Sequence, residues 1–100
     1  MEPTMAAESI SVMNPATGEL IQEVTVDTPE RVESIVNRVR ANQPAWEALG
    51  FKGRRDWLNE LRDWILDNSE RILDTMQAET GKVRADASNE PAYLTDLINF

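Results

Sequence analysis

Apolar residues in this chain recur at helical spacing in short blocks, and most blocks are closed by a proline or a glycine. Val32, Ile35, Val36 and Val39 form one block. Trp57, Leu58, Leu61, Trp64 and Ile65 form a second, and Ile72, Leu73 and Met76 continue that face. Tyr93, Leu94, Leu97, Ile98 and Phe100 form a last one. Spacings of three and four place each block on one side of a helix. The chain is therefore expected to make separately amphipathic helices, each needing cover.

Before the first block the pattern differs. Residues 10–13 are a short β-leaning run, and Asn14-Pro15-Ala16-Thr17-Gly18 is turn chemistry. Pro15 presets φ for a first turn position, and Gly18 can take positive φ. Residues 19–26 then alternate imperfectly: Leu20, Val24 and Val26 on one side, Glu23 and Thr25 on the other. Ile21 breaks the alternation, which reads as a strand covered on both sides there. Two strands around such a turn predict a hairpin, which is marginal in water without cover. Residues 1–9, Met-Glu-Pro-Thr-Met-Ala-Ala-Glu-Ser, read as a flexible N-terminal arm without the apolar stretch of a signal peptide.

Helix boundaries follow from the same punctuation. Thr28 as N-cap with Pro29 next, or Asp27 as N-cap with Glu30 at the third position, starts the first helix. Pro44 is expected to end or kink it near Asn42, leaving Ala45, Trp46 and Leu49 in a short turn. Gly50 and Gly53 are expected to bracket a loop, with the second helix starting near Arg54. Asn68-Ser69 reads as a new helical start, and Gly81 as the residue just past a helix end. Residues 83–89 read as helical or mixed. Pro91 is expected to reset the chain before a further helix over residues 92–100. The fold class is thus α+β: an N-terminal β-hairpin followed by three or more amphipathic helices. The apolar residues up to Phe100 have no cap after them, which reads as a stopping point inside a larger structure.

Charge and absent residue types narrow function. The 100 residues hold 18 acidic and 10 basic side chains, a net charge of -8, which leaves no basic footprint for nucleic acid or an anionic membrane. No stretch is long and apolar enough to span a membrane, and with no targeting segment the expected location is the cytoplasm. There is no Cys and no His. A thiolate nucleophile, a disulfide framework and Ser-His-Asp or Cys-His machinery cannot be built from this chain alone.

Several motifs invite functional readings, each set beside a plainer one. Glu79-Thr80-Gly81-Lys82 lacks the Gly-rich loop of a phosphate-binding motif and reads as a helix end, with Lys82 near the negative pole. Trp46, Trp57 and Trp64 could form an aromatic ligand platform, but core or interface packing explains them more simply. Lys52, Arg54 and Arg55 could meet an anion; the plainer reading is a solvated helix start with Asp56 and Glu60 nearby, Arg55 being the expected partner of Glu60. Asp86 and Glu90, four apart, could hold a hard cation or simply form a solvated acidic face.

In order, the motifs resemble those of one family. Asn14-Pro15-Ala16-Thr17-Gly18-Glu19 is similar to the N-terminal hairpin turn of the NAD(P)-dependent aldehyde dehydrogenase superfamily. Asp27-Thr28-Pro29-Glu30-Arg31-Val32 resembles the start of its first helix, and Gln43-Pro44-Ala45-Trp46 the step that follows. Arg54 or Arg55 with Leu58 and Leu61 resembles its second helix. Glu79-Thr80-Gly81-Lys82 resembles the stop after it, and residues 90–100 the next helix. The likeness covers residues 10–100.

The resemblance implies an enzyme several times longer, of α/β architecture, with a cofactor domain, a catalytic domain and an oligomerisation arm. Its reaction oxidises an aldehyde to a carboxylic acid with NAD or NADP: a thiolate attacks, hydride leaves to the nicotinamide, and water hydrolyses the thioester with help from a Glu base. The family's Cys, Glu base, oxyanion-holding Asn and Gly-containing cofactor turn have no matching position here. The resemblance therefore carries over no catalytic and no cofactor-binding residue to this chain; no metal ligand is assigned in it, and no cofactor is expected to be bound by it alone. In the family that it resembles, an acidic residue near Glu90 and backbone carbonyls near Val12 and Met13 sometimes contribute to a monovalent cation site. The expected partners are the rest of the enzyme and possible further copies of it. A small acidic helical module binding a protein through the Trp/Leu stripe is the alternative.

Overall fold

A computed structural model describes residues 7–100. The elements run β1 (Ser9–Met13), β2 (Leu20–Thr25), α1 (Pro29–Ala48), α2 (Gly50–Asp67), α3 (Ser69–Thr80) and α4 (Arg84–Asn99). This is the expected hairpin followed by helices. Most of the arm expected over residues 1–9 lies outside the described residues; Ser9, at its end, is already the first residue of β1. No helix among the described residues is long and apolar enough to cross a membrane.

β1 and β2 pair antiparallel, from Ser9 opposite Thr25 to Val12 opposite Gln22. The register then shifts, because Met13 faces Leu20 and Ile21 has no partner. The break in alternation at Ile21 is thus a β-bulge, not a strand covered on both sides. The turn forms as its residues demand. The Asn14 side chain accepts from the amides of Ala16 at 2.9 Å and Thr17 at 3.2 Å, and Gly18 sits at φ 75°.

Thr28 caps α1: its hydroxyl accepts from the Arg31 amide at 3.1 Å, with Pro29 opening the helix. Asp27 instead pairs with Arg31 at 2.7 Å. Pro44 does not end this helix, which continues to Ala48. Proline removes one amide, but Arg40 and Pro44 are both exposed, so water can take the carbonyl left over.

No loop separates α1 from α2. Leu49 ends the first helix, and Gly50, at φ 69°, already begins the second. One left-handed residue makes the whole turn. Gly53 lies inside α2, where a Cβ would come within 2.9 Å of Leu49 Cβ. Its role is close approach rather than a break.

Asn68 stands between α2 and α3, but its side chain donates to the Trp64 carbonyl at 2.8 Å. It closes the end of α2 instead of capping the start of α3. Gly81 ends α3 at φ 72°, its amide bonded to the Gln77 carbonyl at 3.0 Å. Pro91 does not reset the chain, because α4 runs through it to Asn99. The half-buried proline lies beside Ile65, Ile72, Met76 and Leu94, where its ring contributes to the packing.

The core lies where α2, α3 and α4 meet. Among the described residues Ile65, Leu73 and Ala87 are its buried apolar side chains, joined by Thr95, whose hydroxyl donates to the Ala92 carbonyl at 2.8 Å. α4 is tied to α3 by Arg84, which donates to Asp74 at 2.6 Å and to Gln77 at 2.9 Å and also pairs with Glu70. The Asp74 hydrogen bond, with the two carboxylate charges, holds the Arg84 guanidinium above its ordinary pKa. α4 is tied to α2 by Arg62, which reaches Asn99 at 2.8 Å. The hairpin touches the end of α3 through Pro15, near Gly81.

Candidate functional site

Surface dominates this structure. The accessible area is 8460 Å², whereas a compact chain of this mass exposes about 5,700 Å². The radius of gyration is 18.6 Å, against about 13 Å for a compact domain of 100 residues. The excess area is about 2,700 Å², the size of a large protein interface. The uncovered residues are the apolar blocks of the sequence: Val32, Val36 and Val39 of α1, Leu58 and Leu61 of α2, and Tyr93, Leu94 and Leu97 of α4.

The three tryptophans do not form a core within this chain. Trp46 is 37% exposed, Trp57 58% and Trp64 51%. Core packing requires partners from elsewhere in the fold, and helical spacing alone does not reveal whether those partners are present. Trp57, Leu61 and Trp64 lie on one side of α2, next to the side on which Ile65 is buried. Asp56, Glu60, Asp63 and Asp67, each one residue before or three after a stripe member, form a carboxylate ridge beside them.

The basic cluster is spent locally. Arg54 donates to the Glu47 carbonyl at 3.0 Å, closing the end of α1, and lies 5.0 Å from the centre of the Phe51 ring. Lys52 and Arg55 both face Asp56, at 3.4 and 3.6 Å. Arg55 therefore pairs with its sequence neighbour and not with Glu60. Arg55 and Glu60 are five residues apart, which places them well round the helix from each other.

Glu79-Thr80-Gly81-Lys82 is a helix end, as its composition suggests. The Thr80 hydroxyl donates to the Met76 carbonyl at 2.6 Å and accepts from the Lys82 amide at 3.2 Å. The Lys82 ammonium reaches across to Glu90. Glu90 thus has a cation already, and the Asp86–Glu90 pair is not a free chelating pair. No three carboxylates gather as a metal site among the described residues.

The depressions are open and shallow. One, about 490 Å³, is lined by Asn89, Glu90, Ala92, Tyr93 and Asp96. Two carboxylates and no glycine-rich turn make it unsuited to a diphosphate. A second, about 190 Å³, is apolar and lies between α2, α3 and α4, with Ile65, Leu73 and Thr95 in its walls. Among the described residues Glu23 is the one carboxylate whose surroundings mark it out. The Ser11 hydroxyl at 2.5 Å and the Ser9 hydroxyl at 2.7 Å hold its pKa below the ordinary glutamate value. That arrangement fastens the two strands and faces no cleft.

Residues 3–100 match the model of a protein family described as the aldehyde dehydrogenase family. A glutarate-semialdehyde dehydrogenase of Pseudomonas aeruginosa is 31% identical over 93% of this chain and 19% of its own length. A lactaldehyde dehydrogenase of Escherichia coli is 30% identical over 91% of the chain and 19% of its own. An NADP-dependent glyceraldehyde-3-phosphate dehydrogenase of Streptococcus equinus is 28% identical over 96% and 20%. No solved structure matches significantly. The chain thus spans about a fifth of the length of these curated relatives. The motifs from Asn14 to Phe100 and the match over nearly the whole chain agree: the protein belongs to the aldehyde dehydrogenase family.

Proposed function

We propose that this chain is the leading segment of an enzyme that oxidises an aldehyde to a carboxylic acid with NAD or NADP. In such an enzyme the nicotinamide supplies the hydride acceptor. The residues present here do not fit that cofactor: they offer neither a glycine-rich turn nor an enclosed site, and no step is assigned to them. The segment's work is structural. Its hairpin and helix faces pack against the rest of the enzyme, and further copies of the enzyme assemble beyond it.

The observation that carries this reading is the exposure of apolar blocks beside a core of three apolar residues. Family membership supports the chemistry, and the share of the relatives' length supports the segment. The acidic balance leaves nucleic acid and anionic membranes out of the partner list.

The test has two arms. The purified 100-residue chain, mixed with aldehydes and either nucleotide, is expected neither to bind nor to reduce NAD or NADP. Turnover by this polypeptide would overturn the structural assignment. The protein encoded when the reading frame is followed past residue 100 is expected to reduce NAD or NADP in the presence of an aldehyde. The alternative, an acidic helical interaction module, is favoured by the exposed Trp57 and Trp64. It gains if the reading frame stops and the chain melts sharply as a monomer at high temperature.

A further inference from the structure

We propose that the Trp57–Leu61–Trp64 face of α2 docks a basic amphipathic helix, with Lys or Arg beside its apolar side chains, presented by the rest of the enzyme. This rests on the reading of the chain as a leading segment. Three observations carry it. First, the face is uncovered although it adjoins the core: Trp57, Leu61 and Trp64 are 58%, 46% and 51% exposed. Large aromatic side chains in that state are the usual anchors of a protein interface.

Second, carboxylates line one flank of this face. Asp56, Glu60, Asp63 and Asp67 run parallel to the apolar face for its whole length, all exposed. Asp56 pairs with Lys52 at 3.4 Å and Arg55 at 3.6 Å, and Asp63 with Arg62 at 2.9 Å. Glu60 and Asp67 have no ion pair among the described residues. A surface that buries the stripe must also meet Glu60 and Asp67, and a cationic one meets them favourably.

Third, the same charges argue against a second copy on this face. Two such faces in contact bring ridge to ridge, in a chain whose net charge is already -8. Like-charge juxtaposition disfavours that pairing. Further copies of the enzyme therefore meet through other surfaces.

The probes are two short helical peptides with the same leucine face, one carrying lysine on its flanks and one glutamate. Each is titrated into the 100-residue chain and followed by tryptophan fluorescence and calorimetry. The lysine peptide is expected to bind and the glutamate peptide to bind at least about tenfold more weakly. Raising salt from about 0.05 to about 0.5 M should weaken the lysine peptide, because the Debye length shortens. Glu60→Lys with Asp67→Lys should weaken it about tenfold, whereas Glu30→Lys with Glu33→Lys, the same change in net charge on α1, should leave it within about twofold.

Equal binding of both peptides, binding of neither, or equal losses from the two double variants would overturn the proposal. So would self-association of the chain that Trp57→Ala with Trp64→Ala abolishes. Circular dichroism of each variant confirms that helix content is kept. No aldehyde or nucleotide enters these titrations, so their failure is separate from failure of the enzyme assignment.

Discussion

Replacing Gly81 by alanine tests whether the hairpin is fastened to the helices by packing or merely lies near them. Gly81 is constrained twice. Its φ of 72° is in the left-handed region, and a Cβ there would sit 3.3 Å from Pro15 Cγ. The left-handed conformation costs an alanine roughly 1–2 kcal/mol, and the stiffer unfolded chain returns roughly 0.4–1 kcal/mol. The backbone part is thus about 0.5–1 kcal/mol. The Pro15 contact needs a shift of a few tenths of an ångström and adds about 0.5–1 kcal/mol, below the usual cost of overpacking a core.

Two other glycines supply the reference. Gly18 and Gly50 have φ of 75° and 69°, and a Cβ at either meets nothing within 4 Å. Alanine at those positions should cost the backbone part alone. Urea unfolding of the three variants, followed by circular dichroism, should therefore rank Gly81→Ala as the most destabilising by about 0.5–1 kcal/mol. Adding Pro15→Ala to Gly81→Ala should remove that extra cost, and a double-mutant cycle measures the coupling. If the three alanines cost the same and the cycle shows no coupling, the Pro15–Gly81 contact holds nothing.

Gly53→Ala should destabilise although alanine is the better helix former by about 1 kcal/mol, because its Cβ would lie 2.9 Å from Leu49 Cβ; pairing it with Leu49→Gly, which removes that Cβ, in the same urea assay should restore stability relative to Leu49→Gly alone. Thr28→Ala should cost about 1 kcal/mol and speed amide exchange at Arg31, whose N–H donates to the Thr28 hydroxyl, while Thr28→Asp should keep protection. Glu23 has a folded pKa below its ordinary value because Ser11 and Ser9 donate to it. Its contribution is present above the ordinary value and lost as pH falls through the folded one. Carboxyl titration by NMR should show Ser9→Ala with Ser11→Ala raising that pKa and removing the acid sensitivity of the hairpin.

Local chemistry was the legible part of this chain. Asn14, Gly18, Thr28 and Gly81 each act within a few residues of themselves, and each does what its type and position imply. Pro44, Gly53 and Pro91 were misleading for a common reason. A proline or glycine announces a break only if nothing favours continuing the helix. Exposure at Arg40 and Pro44, the approach of Leu49 to Gly53, and the packing of Pro91 beside Ile65 all favour continuing it. Those conditions involve neighbouring turns or another helix, and one segment read alone does not contain them.

The tryptophans show the same limit at longer range, and they change what exposure means here. Ile65 and Trp64 are adjacent in sequence and equally apolar in pattern, yet Ile65 is 5% exposed and Trp64 51%. The difference is α4, which covers one side of α2 and not the other. A periodic pattern states that a face is to be buried without saying which element buries it. Where the covering element lies within the chain, sequence pattern and structure agree, as at Ile65 and Leu73. Where they disagree, as at Trp57, Leu61 and Trp64, the face is left uncovered by the described helices, and that discrepancy is what the proposed docking of a basic helix would resolve.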